Sequence, residues 1–325
     1  MLESNMISIL IPCYNVENEI ESTLISLEKQ TFQNFKVILI DDGSIDRTRE
    51  KILQFKLNSR LNITYLYQEN QGVSVARNKG MELVDTKFIT FLDADDEYFP
   101  SYLETLISNI EKEKVDTVFC SFTRSKVNNK STECKSMIFG HYDLLSNIQL
   151  RTIPTGFFCF IYKTEIIKKF KLNFTVGLKH SEDSVFLWKY LVHCNRGIMI
   201  NKELYYYCDN EKSVTNNLNW DLTQSINGMK EIESYLLKYE DIFLEDFRKL
   251  TIPKSFWSVA RHYGLGGYKD YFSRFTKEFP VNEEMDKLKR NGNKLSIRIS
   301  ARIYKLSPTL FYYSLYFYGK LSKKN

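Results

Sequence analysis

The sequence predicts an α/β protein in which a mostly parallel sheet is flanked by helices and followed by a helical C-terminal extension. Over the first half of its 325 residues, short apolar runs rich in β-branched residues alternate with stretches of helical periodicity. From about Asp221 onward the apolar spacing is helical. Because this length permits more than one core, we expect a sheet domain over residues 1–215 and a helical region over 216–325.

The predicted elements of the sheet domain alternate between strand and helix as far as the strand at Thr117–Phe122. Strands are expected at Ile7–Pro12, Val37–Ile40, Ile63–Tyr67, Phe88–Leu92, Thr117–Phe122, Phe157–Tyr162 and Ile198–Tyr207. Helices are expected around Ile20–Leu27, after a Ser44 or Asp46 cap, over Gly72–Val84, from Pro100 to about Glu113, and over Val185–Val192. The polar segment Arg124–Lys135 is predicted to be a loop. This alternation is typical of a mostly parallel sheet.

Polar residues follow the ends of three of these predicted strands. Cys13-Tyr14-Asn15, Asp41-Asp42 and the segment from Asp93 to Asp96 each come directly after a last apolar residue. Ligands of such sheets bind off the carboxyl ends of the strands. We therefore expect the three segments to converge on one rim.

The segment after the Phe88–Leu92 strand is acidic, with Asp93, Asp95, Asp96 and Glu97 in five positions. Like charges this close repel unless a cation or hydrogen-bond donors compensate. Mg²⁺ or Mn²⁺ would do so, since such ions bind through one or two carboxylates plus substrate phosphates. The alternative is a solvated acidic loop that caps the helix after Pro100.

Three further positions each have a functional and an ordinary interpretation. One carboxylate of the Asp41-Asp42 pair could accept the ring N–H of a pyrimidine base beside the ring face of Tyr14, or the pair could belong to a plain turn. Asp183, at a predicted helix start, could be a general base for an acceptor hydroxyl or a cap. Arg77 could meet phosphate, or it could lie on a solvated basic helix face with Lys79.

Taken together, these segments resemble the inverting family-2 glycosyltransferases of the GT-A, or Rossmann-like, fold. The likeness covers roughly residues 6 to 215. It rests on five motifs in order: Pro12-Cys13-Tyr14-Asn15, Asp41-Asp42-Gly43-Ser44, Asn70 to Asn78, Phe91 to Asp96, and Glu182-Asp183.

The resemblance implies a UDP-sugar donor, a divalent metal and direct in-line transfer that inverts the anomeric carbon. It assigns Asp95 and Asp93 to the Mg²⁺ or Mn²⁺ site and Asp183 to the role of base. The nucleotide-binding set that it implies is Pro12, Tyr14, Asn15, Glu17, Asp42, Arg77 and Asp93. The metal would neutralise the leaving diphosphate as its charge develops. The implied acceptor is a lipid-linked saccharide, and the implied pathway is capsule or exopolysaccharide assembly.

One departure from the family pattern concerns the end of the last strand. Many members carry an Arg there and then a Ser-Val/Ile-Thr/Ser stretch. Here Ser213-Val214-Thr215 is present, but Cys208 occupies the usual Arg position. Any contact that this Arg makes is therefore in doubt in this chain.

Two rival functions are compatible with the same sheet. A sugar nucleotidyltransferase normally shows a Gly- and Arg-rich phosphate loop near its first strand, where this chain has Cys13-Tyr14-Asn15-Val16. A catalytically silent, membrane-associated protein that binds sugar nucleotides is the other alternative.

The C-terminal segment carries the positive charge of the chain. The formal net charge is +5, and residues 287–325 hold ten basic residues and no acidic one, which leaves −5 for the first 286 positions. Leu295, Ile299, Ile303 and Leu306 recur at helical spacing beside basic residues. Such a helix suits an anionic membrane surface; the alternative is that this stripe packs on the catalytic domain. Nucleic acid is a poorer fit, because the rest of the chain is acidic and shows no recognised nucleic-acid motif.

The expected location is the cytoplasm, with the chain peripheral on the inner face of the plasma membrane. Six scattered cysteines without a CxxC pair fit a reducing compartment. The N-terminal residues lack the basic start of a secretory signal, and no apolar run approaches the ~20 residues that a spanning helix needs.

Overall fold

The computed structural model describes residues 5–126, 136–153, 156–208 and 219–322. The chain divides into two compact units. The first comprises Met1–Gly177 and Phe186–Asn210, and the second comprises Leu178–Val185 and Glu211–Asn325. The division passes through one helix, so a short internal segment belongs with the C-terminal unit.

The first unit is built on one sheet, which has nine strands within the described ranges. The strands are β1 (Ile7–Cys13), β2 (Phe35–Asp42), β3 (Ile63–Gln68), β4 (Phe88–Phe91), β5 (Glu97–Tyr98), β6 (Thr117–Thr123), β7 (Ser136–Gly140), β8 (Phe160–Lys163) and β9 (Arg196–Tyr206). Their order is β3-β2-β1-β4-β8-β6-β9-β5, and β7 also pairs with β9.

Strand direction differs between the two halves of this sheet. Strands β1 to β4 pair in parallel, as do β6 and β9. By contrast, β8 runs antiparallel to β4 and β6, and β5 and β7 run antiparallel to β9. The α/β prediction is confirmed, with parallel pairing in the N-terminal half and a mixed sheet beyond it. Apolar periodicity does not encode direction, which depends on how each connection returns to the sheet.

Helices flank the sheet. They are α1 (Ile20–Glu28), α2 (Thr48–Asn58), α3 (Val73–Glu82), α4 (Tyr102–Glu113), α5 (His141–Leu150), α6 (Thr164–Phe170) and α7 (Glu182–Leu191). The central strands are apolar on both faces, as helix-covered parallel strands are, and Ile9, Leu10 and Ile11 are fully buried. A Cβ at Gly80 would lie 2.5 Å from Leu10, so glycine permits the close approach of α3 to β1.

Some predicted boundaries shift in the structure. Residues Phe157–Cys159 form a 3₁₀ turn, and the strand expected from Phe157 begins at Phe160. The helix expected from Pro100 begins at Tyr102, and α7 begins at Glu182 itself. Of the predicted loop 124–135, only residues 124–126 lie within the described ranges.

The second unit is helical, as the apolar spacing predicts. Its helices are α8 (Gln224–Tyr239), α9 (Leu244–Asp246), α10 (Ile252–Gly266), α11 (Lys269–Glu278), α12 (Val281–Asn291), α13 (Leu295–Leu306) and α14 (Pro308–Ser322), with a π-helical turn at Phe247–Thr251. Helices α10 and α14 meet closely, because a Cβ at Gly319 would lie 2.6 Å from the carbonyl oxygen of Leu265. In the part of the chain that the structure describes, no helix combines the length and apolarity needed to cross a bilayer.

Candidate active site

The register of the parallel strands brings the predicted polar segments to one edge of the sheet. Cys13 at the end of β1 lies beside Asp41 of β2, and Leu10 lies beside Phe91 of β4. Pro12 lies within β1, opposite Ile40. The segments that follow β1, β2 and β4 therefore start as neighbours, as the strand order predicts.

The loops after β1 and β2 are fastened to each other. Asn15, at a φ of +52°, donates its backbone N–H to Ser44 Oγ at 3.0 Å and accepts from the Ile45 N–H at 2.9 Å. Glu17 accepts from the Arg47 N–H at 3.0 Å. The side-chain oxygens of Asn15 and Glu17, predicted to contact a nucleotide, thus hold the neighbouring loop.

Asp46, one of the two predicted caps, lies in the same pair of loops. It accepts from the Thr48 N–H at 2.9 Å and from the Glu17 N–H at 3.1 Å. Burial raises the pKa of Asp46, but hydrogen bonds to its ionised form from the Thr48 side chain and from backbone N–H groups together outweigh burial and lower it. Tyr14 stands at the start of the first loop with half of its surface exposed, so its ring face remains accessible for stacking.

Asp42 is almost fully buried and holds the start of α3. One carboxylate oxygen accepts from Gln68 Nε2 at 2.7 Å and from the Gln71 N–H at 2.9 Å, and the other accepts from the Gly72 N–H at 2.8 Å. A carboxylate offers about four lone-pair sites. Asp42 therefore retains capacity for about one more hydrogen bond, while three hold the loop between β3 and α3.

Asp41 and Gly43 complete this corner. The buried Asp41 accepts from the Ser44 N–H at 2.9 Å and from the Tyr65 hydroxyl at 2.7 Å. Burial, followed by the hydrogen bond to Asp41, raises the pKa of Tyr65. Gly43 has a φ of +80°, and a Cβ there would lie 2.6 Å from the backbone nitrogen of Asn70. The Asp-Asp-Gly and Gln-Gly segments of the sequence are thus parts of one packed turn.

Arg77, on α3, pairs with Asp93 after β4 through an Nη2–Oδ1 distance of 3.0 Å. Its side chain is only 5% exposed, and its guanidinium lies over the rings of Phe157 at 4.5 Å and Phe174 at 5.1 Å. The alternative of a solvated basic helix face is therefore wrong for Arg77. Instead of an open phosphate contact, the structure gives this guanidinium a carboxylate partner within the site.

In the acidic segment after β4, buried side chains alternate with partly exposed ones. Asp93, Asp95 and Glu97 are partly exposed, whereas Ala94, Asp96 and Tyr98 are buried. The Ala94 carbonyl accepts from Thr23 Oγ1 at 2.9 Å, and the Asp96 N–H donates to the Asp93 carbonyl at 3.0 Å. These contacts separate the carboxylates into an outward set and one inward member.

Asp96 is the inward member, and it is not a helix cap. It accepts from the Tyr205 hydroxyl at 2.6 Å and from the Cys208 N–H at 2.8 Å. Burial, reinforced by the charge of Asp93, raises the pKa of Asp96 to about 8. The capping position of α4 is Ser101, which makes no side-chain cap bond. The interpretation of this segment as a solvated cap is therefore wrong for Asp96.

The outward carboxylates suit a hard divalent cation. Within the described ranges, no three His, Cys, Asp or Glu side chains converge on a common point. Asp93 and Asp95 provide two partly exposed carboxylates. Mg²⁺ and similar ions usually take only one or two carboxylates and complete their shell with water and substrate phosphates. The donor set therefore fits a metal that arrives with a phosphorylated ligand.

Asp183 lies in the first turn of α7, in the segment assigned to the second unit. Its Oδ1 accepts from the Ser184 N–H at 2.6 Å. Ser181, two residues earlier, has a φ of +72°, a conformation in which non-glycine residues are strained and often functional. The position thus shows the helix-start character that the sequence predicts.

Sequence reasoning missed the residues that support this edge. Gln68 is a single polar residue after an apolar run, and Tyr205 is one of several tyrosines in a strand pattern, so neither has a distinctive signal. The rings over Arg77 come from Phe157 and Phe174, far along the chain. Only the tertiary fold brings these side chains to the motifs.

Comparison with known proteins agrees with these features. The chain is 28% identical over 224 residues to the uncharacterized glycosyltransferase YibD of Escherichia coli K12, a match that covers 66% of this chain and 64% of that protein. It is 28% identical over 200 residues to the E. coli UDP-Glc:alpha-D-GlcNAc-diphosphoundecaprenol beta-1,3-glucosyltransferase WfgD, covering 62% of this chain and 75% of WfgD.

A solved structure shows the same fold. S. aureus TarS 1-349 in complex with UDP-GlcNAc superposes with a TM-score of 0.69 at 19% identity, covering 98% of this chain and 91% of that one. The model of glycosyl transferase family 2 matches residues 8–171, half of the chain. These residues include all but the first residue of β1, the whole of β2 to β4, and the segments that follow these strands, so this chain belongs to glycosyl transferase family 2.

Proposed function

We propose that this chain is an inverting glycosyltransferase that moves a sugar from a UDP-sugar to a lipid-linked saccharide acceptor in surface polysaccharide biosynthesis. The observation that carries the proposal is the meeting of Tyr14, Asp42 and the Asp93–Asp95 pair at one edge of the sheet. WfgD, to which this chain is 28% identical over 75% of the length of WfgD, supports the proposed classes of donor and acceptor.

The base of the donor binds between Tyr14 and Asp42 in this proposal. The exposed ring of Tyr14 offers a stacking face, and Asp42 keeps capacity for about one ring N–H. A buried carboxylate already fixed by three donors is a rigid acceptor. It therefore selects uracil over bases that have no ring N–H at the same position. Pro12 and Asn15 frame the same loop.

Asp95, together with Asp93, would hold Mg²⁺ or Mn²⁺ at the donor diphosphate. The bound ion would supply electrostatic stabilisation of the negative charge that develops on the leaving group. Arg77 contributes by pairing with Asp93 at 3.0 Å, which fixes the orientation of that carboxylate and offsets part of the local negative charge. Asp96, turned inward, keeps the loop in place instead.

Asp183 acts as the general base. It takes the proton of an acceptor hydroxyl, whose oxygen attacks the anomeric carbon from the face opposite the diphosphate. The bond between the anomeric carbon and the diphosphate oxygen breaks as the new glycosidic bond forms. One displacement inverts the configuration, and no covalent enzyme intermediate is required.

The chain works at the inner face of the plasma membrane in this proposal, attached by its C-terminal helices. In α13 and α14 the apolar side chains Leu295, Leu306, Leu310 and Phe317 are exposed. They lie in the segment that carries ten basic residues and no acidic one. Exposed apolar groups flanked by cations favour an anionic bilayer surface, where a lipid-linked acceptor is found.

Thermal unfolding of the full chain with Mn²⁺ and a series of UDP-sugars tests the proposal. A donor that binds the native state raises the melting temperature. We expect Asp95→Asn to lose the metal-dependent part of this shift, whereas Glu97→Gln, which removes a neighbouring carboxylate, keeps it. Asp183→Asn should retain the shift and lose sugar transfer. Stabilisation by no uridine nucleotide would refute the proposed donor, and full transfer by Asp183→Asn would refute the base.

A further inference from the structure

We propose that Gln224 and Gly228 of α8 are positioning residues for the turn that carries Asp183. The inference rests on the proposed function, because it concerns the general base assigned there. The turn comprises Leu178–Val185, which groups with the C-terminal helices although the chain on both sides of it belongs to the sheet unit. Helix α8 supplies contacts that fix this turn at its beginning, in its middle and at its end.

The side chain of Gln224 holds the beginning of the turn. Its Oε1 accepts a hydrogen bond from the Lys179 N–H at 2.9 Å, and its Nε2 lies 3.3 Å from Asp221 Oδ1. Asp221 also pairs with Lys179 Nζ at 2.9 Å. Because the side chain of Lys179 is 66% exposed, this ion pair contributes little by itself. The hydrogen bond from the backbone of Lys179 to Gln224 is therefore the contact that fixes the chain here.

Gly228, one turn further along α8, allows the rest of the segment to come close. A Cβ at Gly228 would lie 3.1 Å from the Cβ of Ser181. It would also lie 3.4 Å from side-chain atoms of Leu178 and Val185, which flank Asp183 on its two sides. Glycine within a helix is less favourable than alanine, so its presence in α8 indicates a packing requirement. The helix thus contacts the turn both before and after the base.

The backbone of the turn is strained at Ser181. Its φ is +72°, a left-handed conformation that persists in a non-glycine residue only where the surrounding structure enforces it. The Ser181 carbonyl accepts the Val185 N–H at 2.9 Å, which closes the first turn of α7 around Asp183. The position of Ser181 therefore decides where the Asp183 carboxylate lies.

A general base depends on this placement. It takes a proton over hydrogen-bond distance, and a misplacement of about 1 Å can lower the rate by about 100-fold. Helix α8 approaches the chain two residues before Asp183, at Ser181, and two residues after it, at Val185. A displacement at either point is passed to the carboxylate over a very short stretch of chain. Gln224 and Gly228 thus act through Asp183.

The first test measures UDP release from the UDP-sugar that raises the melting temperature most, with Mn²⁺ present and water as the acceptor. In Gly228→Ala the added methyl group crowds the Cβ of Ser181, so the turn must move by a few tenths of an ångström. We expect kcat to fall by about tenfold. The donor KM and the rise in melting temperature caused by UDP should stay unchanged, because the donor site is not altered.

A second variant reaches the same turn by another contact. Gln224→Ala removes the acceptor of the Lys179 N–H, and we expect it too to lower kcat without changing the donor KM. The matched control is Ser225→Ala in the same turn of α8. The Ser225 hydroxyl donates to the Leu222 carbonyl at 2.7 Å and is not part of the support of the base, so this variant should release UDP like the unaltered chain.

A double variant makes the test specific. Ser181→Gly removes the crowded Cβ and adopts the positive φ without strain, so Gly228→Ala/Ser181→Gly should recover kcat. A double variant as slow as Gly228→Ala would overturn the inference, because the crowding would not act through Ser181. A parallel loss of UDP binding and kcat in Gly228→Ala would also overturn it, since α8 would then support the fold as a whole.

Two further outcomes separate the inference from the proposed function. Full kcat in Gly228→Ala and Gln224→Ala, with Asp183→Asn inactive, would overturn the inference and leave the proposed function intact. Full kcat in Asp183→Asn would refute the assigned base and the inference together.

Discussion

Asp96 accepts a hydrogen bond from the backbone N–H of Cys208 at 2.8 Å, and this contact fastens the acidic segment after β4 to the end of β9. Its second oxygen accepts from the Tyr205 hydroxyl at 2.6 Å. The inward turn of Asp96 leaves Asp93 and Asp95 to face outward. One carboxylate of the cluster thus has a structural role that allows its neighbours a chemical one.

Replacing Asp96 tests this role. Asp96→Ala leaves the buried Tyr205 hydroxyl and the partly buried Cys208 N–H without this acceptor, and we expect it to lower the free energy of unfolding by about 1–3 kcal/mol. Asp96→Asn keeps an acceptor for the Cys208 N–H and a polar group for Tyr205, so it should lose far less. Urea denaturation measures both variants. Equal stability of Asp96→Ala and the unaltered chain would show that the contact contributes nothing.

We expect Gly43→Ala to destabilise the fold for two reasons that can be tested separately. Its φ is +80°, and a Cβ would lie 2.6 Å from the Asn70 backbone nitrogen. Gly177 has a similar φ of +82° with no atom within 4 Å of the added Cβ, so Gly177→Ala reports the backbone strain alone. We expect roughly 1 kcal/mol of destabilisation for Gly177→Ala and clearly more for Gly43→Ala. If denaturation shows the same loss of stability in both variants, the close approach of Gly43 to the backbone of Asn70 adds no steric cost.

His193 should make stability fall in mild acid. Its ring stacks on Phe170 with centroids 3.5 Å apart, and burial, followed by the charges of Lys169 and His141, lowers its pKa to about 4. An unfolded histidine has a pKa of about 6.5, so between these two pKa values the unfolded chain binds more protons and the folded state loses stability as the pH falls. His193→Phe keeps the stack and removes the titration.

The measurement is the melting temperature of both proteins between pH 7 and pH 4.5. We expect the drop on acidification to be smaller for His193→Phe than for the unaltered chain. Parallel curves over this range would mean that His193 titrates alike in the folded and unfolded states.

The sequence predicts the order of elements well where apolar periodicity is strong, as at β1 to β4. It predicts that Asp42 and Asp93 lie at the same edge of the sheet, because the carboxyl ends of parallel strands share an edge. It could not predict that Asp42 is already bound by Gln68, or that Phe157 and Phe174 cover Arg77, because such contacts join positions far apart in the chain. The antiparallel direction of β8 could not be predicted either, because it depends on how the connections before and after this strand return to the sheet.

The exposed face of the C-terminal helices provides the last prediction. Residues Leu310 and Phe317 are two turns apart on α14, on the same side, and are 54% and 60% exposed. The opposite side buries Phe311 and Tyr312, and α13 buries Tyr304. Deleting the segment after Met285 would therefore remove core side chains as well as the proposed membrane contact. Substitution of exposed residues separates the two effects.

We expect the double variant Leu310→Ser/Phe317→Ser to lose flotation with anionic vesicles while its melting temperature stays unchanged. The matched control is Leu237→Ser/Ile242→Ser, since these side chains are 60% and 63% exposed in the same unit but lie outside the basic segment. Flotation should also weaken with added salt, because the ten basic residues act through screened charge. If the double variant floats as well as the control does, the exposed face of α14 does not bind the membrane, and packing against another partner remains the explanation for its apolar surface.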